Sequence, residues 1–191
     1  MLAAAQGDRE AFGILVERHH CAIVQFVHRF LGIAGREAAE DLAQDVFLAA
    51  WKAAPSFRPQ AKVLTWLLRI TTNVCLNYRR SSRLRVAVSL GAEGAGETSG
   101  PDVDRPDARA IDRERAETVR RAVAGLPAGQ RAAILLRHFL ELSYVEIADV
   151  LGTSVSAVES LLFRARLTLR KTANSSESDA PTQVSPALGV E

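Results

Sequence analysis

Arginines and amides set the chemistry open to this chain. Residues 61–85 hold six cations, Lys62, Arg69, Arg79, Arg80, Arg83 and Arg85, and no acid. Guanidinium groups at that density suit phosphate oxygens, which they can grip with two parallel hydrogen bonds. Asn73 and Asn77 lie just ahead of the arginines and one helical turn apart. Asparagine amides can hydrogen-bond exposed base edges. The plainer readings are a solvated helix end for the arginines, and local caps or polar core contacts for the asparagines. A second basic set, Arg164, Arg166, Arg170 and Lys171, surrounds Phe163. A phenylalanine among arginines sits poorly in water but fits a groove, against thymine methyl groups. Packing against a neighbouring helix or a partner protein is its other reading.

Catalytic chemistry fits less well. His19, His20, Cys21 and His28 spread around one helical stretch, and HHC lacks the i, i+4 spacing that turns two metal ligands to one face. They read as surface or core positions. No phosphate-binding glycine loop, nucleophile elbow or carboxylate constellation stands elsewhere. The expectation is a chain that is not an enzyme, with no cofactor and no metal. Cys21 and Cys75 form no CxxC pair, and as buried thiols they suit a reducing cytoplasm.

The stretch SYVEIADVLGTSVSAVESLLFRAR, residues 143–166, carries the most specific spacing. Ser143 and Glu146 match the S-x-x-E capping box directly before an apolar run. Gly152 stands where the chain must reverse, a place that favours positive φ. Val158, ten residues after Ala148, can pack on that small side chain when two helices cross. The pattern predicts a helix-turn-helix, with an ordinary helical hairpin as the alternative. In the second helix Val155, Val158, Leu162, Ala165 and Leu169 form the expected buried stripe. Ser156, Glu159, Ser160, Phe163 and Leu167 then face outward, flanked by Arg164 and Arg166. Glu159 has two readings: it completes a second capping box with Ser156, or it accepts a hydrogen bond from a cytosine amino group.

These groups need elements to position them, and the chain supplies helices. Of its 191 residues 48% are apolar, enough for real cores, and no apolar run reaches the about 18 residues of a membrane span. The N-terminus turns polar too early for a secretory signal. Helical spacing covers 8–31, with Asp8 as N-cap and Gly32 as stop, then 36–54, closed by Pro55. A third helix is expected from Val63 to Ser81, with Leu67, Ile70, Val74 and Tyr78 as its apolar stripe. Helical spacing resumes at 107–125 and 128–139, around Pro127. Net charge is only +2, but residues 86–119 carry eight acids against four cations, between the two basic regions. The expected fold class is all-α: two small helical domains, 5–85 and 107–171, joined by a flexible acidic linker at 86–106 and followed by a disordered tail at 172–191.

DLAQDVFLAAWKAAPSF followed by TWLLRITTNVCLNYRRSSR resembles region 2 of bacterial sigma factors, and LPAGQRAAILLRHFLELSYVEIADVLGTSVSAVESLLFRARLTLRK resembles their region 4. The order and short linker resemble the extracytoplasmic-function (ECF) group. The resemblance implies a transcription initiation factor whose partners are core RNA polymerase (the largest-subunit clamp helices and the flap), promoter DNA and an anti-sigma factor, without membrane insertion. It assigns Asp41, Gln44, Asp45, Leu48 and Trp51 to docking on the polymerase, against plainer readings as a solvated acidic face and a core tryptophan. It assigns Phe57, Arg58, Asn73, Asn77, Arg79, Arg80 and Arg83 to the promoter −10 element, where a loop aromatic can enclose an unpaired base. It assigns Ser154, Ser156, Glu159, Ser160, Phe163, Arg164 and Arg166 to the −35 element. Pro59 departs from the glycine common after that loop arginine, and Glu159 and Leu161 replace arginines found in some members. The linker is expected to mimic nucleic acid in the polymerase cleft. Rival readings are a sigma-like decoy for an anti-sigma factor and a stand-alone helix-turn-helix regulator.

Overall fold

Asp8 starts the first long helix because its carboxylate accepts the otherwise orphaned backbone N–H of Ala11 at 3.0 Å. The computed structural model describes the backbone of residues 1–32, 35, 37–89 and 108–178. After a short α1 (Leu2–Ala5), α2 runs Arg9–Leu31 and stops at Gly32, whose φ of 75° a β-carbon would resist. α3 (Ala38–Ala53) ends in a 3₁₀ turn, Ala54–Ser56, built around Pro55. α4 spans Val63–Ser89. Among the described residues every regular element is helical.

α2, α3 and α4 pack on one another as an N-terminal bundle. Its centre holds Ile23, Phe26, Val27, Phe30, Val46, Leu67 and Leu68, all fully buried. Deleting a ring such as Phe26 from that core costs about 3–5 kcal/mol. On α4 the deepest line is Leu67, Leu68, Thr71, Thr72 and Cys75, while the expected Ile70, Val74 and Tyr78 are half-buried. The stripe is broader than expected because α4 is covered on a second side as well. Burial pushes the Cys75 thiol up to about 12. Cys21, expected to be buried, is exposed on α2 and accepts a hydrogen bond from Gln25.

The second group comprises α5 (Ala108–Gly125), α6 (Ala128–His138), α7 (Tyr144–Leu151) and α8 (Val155–Ser178). Two boundaries move outward from their expected places. α4 continues to Ser89, past both Ser81 and the expected linker start, because no glycine or proline interrupts it. α8 continues to Ser178, seven residues beyond Lys171, and Thr168 and Thr172 bond back to carbonyls one turn earlier. The rest of the expected linker, 90–106, the first residue of the expected second domain, 107, and the rest of the expected tail, 179–191, lie outside the described residues.

The two groups share a single buried apolar cluster that runs from Leu15 on α2 to Ala165 on α8. α7 and α6 pack on α4, and α5 and α6 pack on α2. Arg131 of α6, fully buried, crosses this seam: its Nη1 donates to the carbonyl of Phe30 at 2.6 Å. That carbonyl belongs to the last turn of α2, the negative end of the helix dipole, so a cation is well placed there. Arg29 lies 4.0 Å over the ring of Phe139, a second contact across the seam.

Candidate nucleic-acid interface

The helix-turn-helix forms where its spacing put it. Ser143 Oγ accepts from the Glu146 backbone N–H, and Glu146 Oε2 accepts from the Ser143 N–H at 2.9 Å, completing the capping box. Gly152 ends α7 with φ 63°, ψ 41°, the left-handed conformation that lets α8 turn away. Ala148 and Val158 are both buried in the shared core. Val158, Leu162 and Ala165 anchor α8; Leu169 is half-buried, and Val155, expected inside, is 38% exposed because it opens the helix at the rim of the turn.

The opposite face of α8 is presented to solvent. Ser156, Glu159, Ser160, Arg164 and Arg166 are exposed, and Phe163 is 67% exposed between the arginines. Arg164 Nε donates to the Ser160 carbonyl one turn back, which steadies its side chain along the helix. Ser154, not Ser156, is the N-cap: its Oγ accepts from the Ala157 N–H at 3.2 Å. Ser156 is therefore inside the first turn, and Glu159 cannot form a capping box with it. The carboxylate of Glu159 is left exposed on the outward face. Of its two readings, the base contact is the one that this geometry leaves open.

In the N-terminal bundle Asp41, Gln44, Asp45 and Leu48 form one exposed stripe on α3, with Leu48 58% exposed. Trp51 is only half-buried and meets Phe12 edge to face, with ring centroids 5.0 Å apart. Its place is thus intermediate between a core and a surface residue. The loop after the 3₁₀ turn turns back at Arg58, whose carbonyl accepts from Ala61 N at 3.0 Å. Phe57 is half-buried and rests edge-on against Trp66 (5.5 Å), while Arg58 is exposed. Asn73, Asn77 and Arg80 are exposed on α4, and Arg79 is half-buried. Arg83 lies on the same helix; its side chain is outside the described residues. Among the described residues no histidine, cysteine and carboxylate group could hold a metal. His20 stacks on Phe47 and His28 lies 3.9 Å from Glu40.

Two residues outside the expected set join the two halves of this surface. Lys62, in the loop leading into α4, donates to Glu146 Oε1 at 2.6 Å, so the carboxylate that caps α7 also pairs with the N-terminal bundle. The Lys62 bond and the two Ser143 bonds lower the Glu146 pKa to about 2. Around the pair opens a cleft of about 620 Å³, lined by Gln60, Lys62, Trp66, Arg69, Glu146 and Asp149. No short-range spacing signals a partnership across 84 residues. The capping motif was visible; its second role was not.

Residues 15–85 match the family model described as Sigma-70 region 2, and residues 116–169 match Sigma-70, region 4. The chain is 34% identical over 171 residues to the RNA polymerase sigma-H factor of Pseudomonas aeruginosa, covering 87% of this chain and 88% of that protein. It is 33% identical over 174 residues to the ECF RNA polymerase sigma factor SigW of Bacillus subtilis, covering 87% and 90%. Among solved structures it is similar to CnrH in complex with the cytosolic domain of CnrY, with a TM-score of 0.62, 31% identity, and coverage of 93% and 95%.

Proposed function

Because this chain belongs to the ECF group of bacterial RNA polymerase sigma factors, we propose a division of labour among its three exposed surfaces. The protein binds core RNA polymerase and directs promoter-specific initiation. It performs no catalysis of its own and works in the cytoplasm; among the described residues no helix is long and apolar enough to cross a membrane.

The α3 stripe docks on the polymerase clamp helices. Asp41 and Asp45 meet cations there, Gln44 supplies a hydrogen bond, Leu48 inserts into an apolar site, and Trp51 backs the stripe. This stripe carries the reading. Leu48, 58% exposed, lies in line with the exposed Asp41, Gln44 and Asp45, so one helix face offers a partner an apolar contact flanked by carboxylates. A stand-alone DNA-binding regulator has no use for it.

Phe57 and Arg58 hold a −10 base extruded from the opening duplex, and Trp66 behind Phe57 gives the ring a firm backing. Asn73 and Asn77 read base edges on the same strand, and Arg79, Arg80 and Arg83 fix its phosphates. α8 enters the −35 major groove with Ser154, Ser156, Glu159, Ser160 and Phe163 toward bases, and with Arg164 and Arg166 toward phosphates. The flap of the polymerase carries the C-terminal module. An anti-sigma protein holds the factor inactive; the similar CnrH has been solved in complex with another protein, the cytosolic domain of CnrY.

Leu48→Glu tests the polymerase-docking role. It leaves the buried residues of α3 untouched and should weaken binding to core polymerase by at least ten-fold, with the far-ultraviolet dichroism unchanged. Binding at wild-type strength would remove the stripe from the interface.

A further inference from the structure

We propose that α1, the short helix Leu2–Ala5, is a brace that fixes Phe57 for base capture, and that the small side chain of Ala4 makes it a positioning residue for −10 selectivity. The inference rests on the −10 reading of Phe57 above and adds the element that holds that ring in place.

A helix as short as α1 does not persist in water, because its first turn fixes more dihedrals than its hydrogen bonds stabilise. It exists here because it is folded back onto its neighbours. Gly7 makes the reversal at φ 91°, with open space where a β-carbon would stand. The Asp8 N–H then donates to the Ala3 carbonyl at 3.2 Å. Met1 packs against the core, while Leu2 and Ala3 are exposed. The buried residue of α1 is Ala4, 2% exposed.

α1 lies against two elements, α2 and the 3₁₀ turn Ala54–Ser56. The buried residue of that turn is Ala54, 1% exposed. Two alanines let these backbones come close, where a longer side chain would hold them apart. The turn carries Phe57 directly: the Ala54 carbonyl accepts the Phe57 N–H at 3.0 Å, and Ser56 Oγ donates to the Ala53 carbonyl at 2.7 Å. The Phe12–Trp51 pair ties the first turn of α2 to the last turn of α3, so both elements around the contact are fixed. Phe57 is therefore set by α4 through its ring, against Trp66, and by α1 through its backbone. A ring that must enclose one extruded base depends on both, since an oriented contact tolerates little displacement.

Holoenzyme assembled from core polymerase and the full chain is offered a random-sequence single-stranded DNA library. The strand most enriched by the wild-type protein then serves as the probe. Phe57→Ala should weaken its binding about ten-fold, the usual effect of removing one stacking aromatic. Ala4→Leu overfills the contact; it should weaken binding by a similar factor and flatten base preference at one position. Ala3→Leu adds the same side chain to the exposed face and should bind as wild type does. Gly7→Ala strains only the reversal, since its new β-carbon meets nothing, and should act in the same direction as Ala4→Leu. Neither variant should weaken binding further in the Phe57→Ala background, whereas a loss unrelated to that ring would add to it. Binding to core polymerase should stay at the wild-type level throughout.

Wild-type strand binding by Ala4→Leu overturns the proposal, as do losses that add to that of Phe57→Ala or a matching loss of core binding. Should Ala4→Leu fail to fold, as read by circular dichroism, Gly7→Ala decides by the same criteria. If the wild type enriches no strand, or Phe57→Ala binds like wild type, the −10 assignment itself fails and the proposal falls with it.

Discussion

Replacing Arg131 by methionine probes the seam at its most buried point. Methionine preserves most of the apolar stem, so packing is largely kept and the guanidinium alone is removed. The Phe30 carbonyl stays behind, buried and without the donor that meets it at 2.6 Å. Loss of a charge-assisted bond from an acceptor that cannot reach water costs about 1.5–3 kcal/mol. Relief of the buried cation's desolvation offsets part of this, and loss of a cation at the end of the α2 dipole adds to it. About 2 kcal/mol remains. For a chain of this length that lowers Tm by about 4–8 °C. Both tryptophans, Trp51 and Trp66, lie in the N-terminal bundle, so their fluorescence follows that module while circular dichroism follows the whole chain. The two signals should melt together in the wild-type protein. In the variant the dichroism should begin to fall first, as the C-terminal module loses its support. Coincident melting in Arg131→Met, within about 1 °C of wild type, would show that Arg131 does not couple the modules.

Three further outcomes follow from the same geometry. The Glu146 carboxyl ionises near 2 in the folded chain, against an ordinary value of 4.5. Its contribution is therefore complete above about pH 4.5 and is lost as pH falls from there toward 2. Because Lys62 is largely exposed, the loss should be about 1 kcal/mol in urea titrations, and absent in Glu146→Gln. Ser143→Ala should destabilise the chain by about 1 kcal/mol through loss of the α7 cap, measured by urea unfolding. Glu159→Ala should relax base preference at one −35 position by about 1–3 kcal/mol in a binding-site selection, whereas Arg166→Ala should weaken all sites alike and reduce the salt dependence of binding.

Much of the architecture was legible because it rests on short-range rules. Asp8, Ser143, Glu146 and Gly152 act within a few residues of themselves, and each does what its type and spacing announced. The outward face of α8 likewise followed from helical periodicity. Errors arose where two local patterns competed. Both Ser154 and Ser156 could open α8, and the earlier serine takes the cap, so the S-x-x-E match at Ser156 and Glu159 is incidental. Val155 then falls at the rim instead of inside. The helices run past the expected ends to Ser89 and Ser178 because charged and polar residues sustain a helix without marking its end. The seam was invisible for a different reason. Arg131 lies in a stretch that reads as amphipathic, and its partner is a backbone carbonyl, which has no sequence signature. Cys21 failed in the same way: thiols are buried on average, and only packing shows that this one is not.

Run-off transcription from a genomic promoter library, with purified core polymerase and with or without the protein, shows whether this chain gives RNA polymerase its promoter preference. Discrete start sites that depend on the protein, sharing a −10 and a −35 sequence and lost with Leu48→Glu, are the expected result. Absence of any binding to core polymerase, with duplex DNA still bound through α8, would make this a stand-alone DNA-binding protein and not a sigma factor.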